Sequence, residues 1–100
     1  MSKHNYTFYV YIITNKKHGT LYTGMTNNIR RRIFEHKNKV VEGFSKRYGL
    51  DLLVYLEFYK YVNDATRREK QLKNWHRKWK IALIEADNPH WEDLSRDWYA

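Results

Sequence analysis

At 100 residues the chain supports one modest core, and we read residues 1–100 as a single domain carrying an acidic, tryptophan-containing tail over about residues 88–100. There is no cysteine, which excludes disulfide staples and cysteine-based zinc sites; the packing of nine Tyr, four Trp and four Phe must supply the stability instead. The formal net charge of +8 is uneven, with 18 basic against 6 acidic side chains in residues 1–84 and 1 against 5 in residues 85–100, and such a basic body attracts polyanions, of which nucleic acid is the commonest inside cells.

The first residues, Met1-Ser2-Lys3-His4-Asn5, lack an apolar signal core, and no stretch approaches the ~20 apolar residues needed to cross a bilayer. A soluble, cytoplasmic protein without membrane association is expected. Tyr6 to Thr14 and Thr20 to Met25 are rich in β-branched and aromatic residues and read as a hairpin. Pairing Thr14 with Gly19 leaves a four-residue loop and sets Tyr11 directly opposite Tyr22 on one face. A one-residue slip would part them to opposite faces. Asn27 or Asn28 caps a helix running to about Lys39, with Ile29 and Ile33 inward and Arg32 and His36 on the adjoining stripe at i, i+4. Val40 to Gly49 reads as a loop bearing Lys46-Arg47. Leu52 to Tyr61 is a third strand whose apolar face is Leu52, Val54, Leu56 and Phe58. Asn63-Asp64 then starts a helix with the inner stripe Ala65, Glu69, Leu72, and a second helix from Arg77 to Ala86 turns Trp79, Ala82 and Leu83 inward. Asn88-Pro89 ends it, because the residue before proline avoids helical dihedrals. The class is α+β: a small antiparallel three-stranded sheet flanked by helices.

Within that frame a carboxylate on an apolar stripe is the odd feature. Glu69, between Ala65 and Leu72, must be paired, protonated or metal-bound if it lies inside, and a salt bridge to Arg32 or Lys73 is the rival to a metal. Tyr11 and Tyr22 taken singly are ordinary strand aromatics, and Arg32 taken singly belongs to a solvated basic helix. His4, His18, His76 and His90 have no zinc spacing, and no metal is assigned to them.

In order and spacing, however, Tyr9-Val10-Tyr11, Tyr22-Thr23-Gly24, Arg32, His36, Glu69 and Asn88 resemble the GIY-YIG nuclease domain over nearly the whole chain. Gly43-Phe44-Ser45-Lys46-Arg47-Tyr48, Arg68-Glu69-Lys70-Gln71-Leu72-Lys73-Asn74-Trp75 and Asn88-Pro89-His90-Trp91 resemble segments of the small stand-alone bacterial members, the UPF0213 type. The first triplet reads Tyr-Val-Tyr rather than Gly-Ile-Tyr and the second carries Thr23 for isoleucine, yet both keep the tyrosine that matters.

The resemblance implies a DNA endonuclease working with one Mg²⁺ or Mn²⁺, in repair or recombination. Glu69 would hold the ion, as a hard oxygen donor suited to cations that keep most of their waters. Arg32 would stabilise charge growing on a phosphate oxygen, a task for a fixed guanidinium fork rather than a lysine. Tyr11 would orient or deprotonate the attacking water, with Tyr22 hydrogen-bonded nearby; because a free phenol has a pKa of about 10, His36 is expected to take its proton on. Gly24 and Asn88 would position substrate. Arg30, Arg31, Lys46, Arg47, Lys70, Lys73 and Arg77 would touch phosphates without reading sequence, and DNA is favoured over RNA. Two other readings stand beside this one: a non-catalytic nucleic-acid-binding module on the same fold, and a domain whose acidic tail, Glu92 to Tyr99, docks on a protein partner.

Overall fold

The strand-forming runs do pair. The computed structural model describes residues 7–40 and 43–99, in the order β1 (Phe8–Thr14), β2 (Leu21–Thr26), α1 (Ile29–Lys37), α2 (Phe44–Tyr48), β3 (Leu52–Tyr59), α3 (Val62–Asn74) and α4 (Arg77–Asp87). β1 lies at the centre of an antiparallel sheet ordered β2-β1-β3. It is the most apolar run, and its residues from Val10 to Thr14 are buried whichever way they point. Both faces are therefore covered: Tyr11 and Ile13 pack with Ile29 and Ile33 of α1, whereas Val10 meets Ala65 and Leu72 of α3, and Ile12 meets Ile84 of α4.

The hairpin register differs from the sequence expectation by two residues. Thr14 pairs with Leu21, not Gly19, so residues 15–20 form the connection; Tyr11 then faces Gly24, and Tyr22 faces Ile13. The longer loop is closed by Asn15, whose Oδ1 accepts the Thr20 N–H at 3.1 Å, and by the Thr14 hydroxyl, 2.7 Å from the Thr20 carbonyl. An even shift leaves every side chain on its expected face. Tyr11 and Tyr22 thus become diagonal neighbours, with ring centroids 6.5 Å apart, instead of a direct pair.

The pattern expected for β3 is also corrected. A bulge places Tyr55 opposite Ile12 and Leu53 opposite Ile13, leaving Val54 unmatched. One extra residue reverses the phase of alternation. Leu52 and Val54 face the Ile12 side, while Leu56 and Phe58 fall on the Tyr11 side, and Phe58 is 70% exposed. On the other face beyond the bulge, Glu57 accepts from the hydroxyls of Tyr55 and Tyr59 and is clamped by Arg68 of α3 at 2.9 Å. That guanidinium and the two phenols hold the Glu57 carboxyl below its ordinary range against the opposing effect of its burial, the largest single influence on it.

Helix α1 is capped as expected by Asn28, whose Oδ1 accepts the Arg31 N–H at 3.2 Å. The segment expected as a loop after it contains α2, which ends at Gly49 in the left-handed conformation (φ 66°) that glycine adopts without strain. Helix α4 is rotated relative to expectation: Ile84 is buried, with Ile81 and Leu83 beside it, while Ala82 is exposed and Trp79 is 49% exposed against the edges of Trp75 and His76. No helix among the described residues is long and apolar enough to cross a membrane.

The acidic tail folds back on its own domain. Leu94 N–H bonds the Leu53 carbonyl at 2.7 Å, Asp93 bridges Lys37 Nζ at 2.6 Å and the Leu53 N–H at 3.2 Å, and Ser95 is fully buried. Trp98 and Tyr99 then pack against the α1 core, and the Tyr99 hydroxyl donates to the Arg30 carbonyl at 2.6 Å. The tail's aromatic and acidic groups are largely used within the chain.

Candidate active site

The site assembles where the Tyr11 face of the sheet meets α1, α2 and the edge of α3. Tyr11, from the central strand, is only 2% exposed. Its ring crosses β2 directly over Gly24, where any Cβ would collide with the phenol carbon and oxygen. For Gly24, expected to position substrate, the structure shows a steric role: it makes room for the Tyr11 phenol.

The Tyr11 hydroxyl lies 3.0 Å from His36 Nε2, and His36 Nδ1 lies 2.9 Å from Ser45 Oγ. This chain from strand to helix to helix is buried, with His36 only 4% exposed. Two proton arrangements satisfy it: the phenol donates to Nε2 while Nδ1–H donates to Ser45, or Ser45 donates to Nδ1 while Nε2–H donates to the phenol oxygen. Ser45 was not singled out from the sequence, because it lies on α2, read there as a loop. Only its place in the Gly43–Tyr48 segment pointed to it.

Burial controls the electrostatics. It pushes the Tyr11 phenol well above its ordinary range, with the neighbouring Tyr22 and Glu69 adding to the rise and Arg32 opposing it. Burial, and then Arg32, push His36 down to about 4. Both groups are neutral near pH 7. The Arg32 and Glu69 charges both act on the Tyr11 phenol, and Arg32 acts on the His36 imidazole as well. Arg32 is half-buried and only loosely held, with its nearest guanidinium nitrogen 3.7 Å from Glu35.

Tyr22 joins through ring contacts rather than the expected hydrogen bond. Its centroid is 6.0 Å from His36 and 6.2 Å from Phe44, on which it stacks, and its hydroxyl bonds no other described residue. Glu69, on α3, has a side chain 19% exposed, and its carboxylate pairs with Lys73 Nζ at 3.2 Å. Of the two rival salt-bridge partners it is Lys73, one turn on, that engages it. No group of three or more His, Cys, Asp or Glu among the described residues is arranged to hold a metal ion. Glu69 offers one partly accessible carboxylate, which fits an ion that keeps its waters and takes its remaining ligands from a phosphate.

Asn88 is not brought to this cluster. It caps α4 and is 6% exposed; its amide nitrogen donates to the Val54 and Glu92 carbonyls at 3.1 and 2.9 Å, and its oxygen accepts the Glu92 N–H at 3.0 Å. Every polar atom of its side chain fastens the tail. The basic residues divide likewise. Arg30 donates to the Trp98 carbonyl between the Trp98 and Tyr99 rings, and Arg77 donates to the His18 and Gly19 carbonyls at 2.6 Å. Arg31, Lys46, Arg47 and Lys70 are exposed; Arg47 lies over the Tyr48 ring and Arg31 is 3.9 Å from Glu35.

A family profile described as the GIY-YIG catalytic domain matches residues 7–82. The UPF0213 protein CPE1444 of Clostridium perfringens is 35% identical over 89 residues, covering 89% of this chain and 95% of that protein. The UPF0213 protein SH2523 of Staphylococcus haemolyticus is 36% identical over 85 residues, covering 85% and 98%. The solution NMR structure of the UPF0213 protein BH0048 from Bacillus halodurans superposes with a TM-score of 0.54 at 28% identity, covering 91% of this chain and 97% of that one. The matched span runs from β1 into α4 and takes in the tyrosines, Arg32, His36 and Glu69, and with it the chain belongs to the GIY-YIG family.

Proposed function

We propose that this domain is an endonuclease that hydrolyses phosphodiester bonds in DNA with the help of one divalent cation. The observation that carries the reading is the meeting of Tyr11, His36 and Tyr22 in one cluster whose central phenol feels both Arg32 and Glu69. Arg32 binds a non-bridging oxygen of the scissile phosphate; its loose tether to Glu35 leaves the guanidinium available. Glu69 is the residue that would hold Mg²⁺ or Mn²⁺, which when bound polarises the phosphate and steadies the leaving oxygen. Tyr11 orients the water. Its proton can pass to His36 Nε2, with the Nδ1 proton directed at Ser45 Oγ. That transfer is uphill in the free protein, with the phenol pushed up and the imidazole down, so orientation by hydrogen bonding is the resting role of Tyr11.

The same opposed shifts favour the second reading, a nucleic-acid-binding module that has kept the fold without cutting. A screen of branched, nicked, single-stranded and double-stranded DNA with Mg²⁺ or Mn²⁺ decides between them. The wild type should cut at least one substrate, and Tyr11→Phe, Arg32→Ala and Glu69→Ala should each lower turnover by roughly 10²–10³ or more while binding persists. Binding without cleavage of any of these by the wild type would leave the second reading standing.

A further inference from the structure

Within that proposed nuclease site Lys73 has a place of its own. It lies one turn beyond Glu69 on α3, the i, i+4 order in which glutamate and lysine attract best along a helix. An exposed pair of this kind is ordinarily a trivial surface contact. The Glu69 side chain, however, is only 19% exposed and that of Lys73 48%, and Lys73 Nζ, 3.2 Å from the carboxylate, is turned over the Tyr22 ring, 5.9 Å from its centroid. Just beyond it on α4 are further cations. Arg77 is fixed to the β1–β2 connection, and the Lys80 ammonium, held down first by its burial, also feels the charges of Arg77 and Lys73. Lys73 therefore stands between one negative group and a positive cluster.

The geometry points to Lys73 as the built-in counter-cation of the site: it neutralises Glu69 in the free protein, a divalent cation must displace it, and the released ammonium then takes a phosphate of the bound nucleic-acid strand beside Tyr22. Two charges cannot share one carboxylate without repulsion, so the lysine and the ion compete directly for Glu69. Once free, Lys73 keeps its position over the ring and meets the polyanion that exposed cations of the domain, such as Lys70 on the same helix, attract. The inference rests on the nuclease reading in taking Glu69 as the cation's ligand.

Binding of Mn²⁺, followed by electron paramagnetic resonance without nucleic acid, tests it on four proteins: wild type, K73M, K73R and E69Q, each checked for native folding by circular dichroism. K73M should bind Mn²⁺ roughly fivefold more tightly than the wild type, K73R should resemble the wild type, and E69Q should lose the site. In Ca²⁺, with a single-stranded oligonucleotide, K73M should bind several-fold more weakly and K73R should recover the loss. Equal Mn²⁺ affinity in wild type and K73M, both above E69Q, overturns the role of Lys73 and leaves Glu69 as the ligand. No Mn²⁺ binding above E69Q in either protein overturns both. Tighter Mn²⁺ binding by K73M with unchanged oligonucleotide affinity overturns the phosphate contact.

Discussion

His36 shows how one burial decides chemistry and stability together. Its folded-state pKa of about 4 lies below the unfolded value of 6.5, so between these limits the unfolded chain binds the extra proton. The contribution of neutral His36 is therefore complete above pH 6.5 and is lost as pH falls toward 4. The carboxyls of Glu57 and Asp93 are themselves held low and lose their contributions only below their ordinary range, so the window from pH 6.5 to 5 belongs mainly to histidine. Urea denaturation at pH 7.5 and pH 5.0 should show the wild type losing about 1–2 kcal/mol, and His36→Gln losing much less. Equal losses in the two proteins would place the acid sensitivity elsewhere. The spacing of His36 from Arg32 was legible in the sequence. Its pairing with the Tyr11 phenol was expected too; its burial and its bond to Ser45 were not, because Ser45 lies on a helix that the sequence pattern reads as a loop.

The secondary-structure elements are legible in the sequence to different degrees, for reasons of phase. Helix α1 and the Ala65/Leu72 stripe of α3 follow from local periodicity and capping, which act within a turn or two. β3 and α4 do not: a single bulge reverses the faces of β3, and α4 turns Ile84 rather than Trp79 inward because the space beside Ile12 is already shaped by Val54, Tyr55 and Trp91. The tail is the clearest element whose role is decided by contacts remote in sequence. Asp93, its side chain mostly buried, ties α1 to β3 through Lys37 and the Leu53 N–H. Asp93→Ala should lower the stability by about 2–4 kcal/mol, since it leaves the Lys37 ammonium partly buried and unpaired. Chemical denaturation measures this, and a loss under 1 kcal/mol would mean that the strap holds without its ion pair.

For the whole molecule, a net charge of +8 overstates the surface available to a polyanion, because several cations serve the fold. Arg30, Lys37, Arg68 and Arg77 are directed at carbonyls or carboxylates of the chain itself. Arg31 and Lys70 are exposed, and under the proposed function they would meet phosphates. The logarithm of DNA affinity should fall linearly with the logarithm of salt concentration, and Arg31→Ala should make that slope shallower by about one. Arg77→Ala should leave the slope nearly unchanged and instead lower the melting temperature by loosening the β1–β2 connection. A salt titration by fluorescence anisotropy separates the two, and a shallower slope for Arg77→Ala would return that residue to the nucleic-acid interface.

The sequence by itself determined the residue types, their spacing and the alternation of apolar side chains; these are enough for an α+β fold around a three-stranded sheet and for membership of the GIY-YIG family. An even shift of register does not change faces, which is why Tyr11 and Tyr22 were placed on the same side despite the misread loop. The tertiary structure alone decided that Asn88 fastens the tail and that Ser45 completes the Tyr11–His36 chain. It also decided which cations are turned inward. Those outcomes depend on which groups meet across the fold and how much water is left between them, and neither quantity is written in the local pattern of a chain.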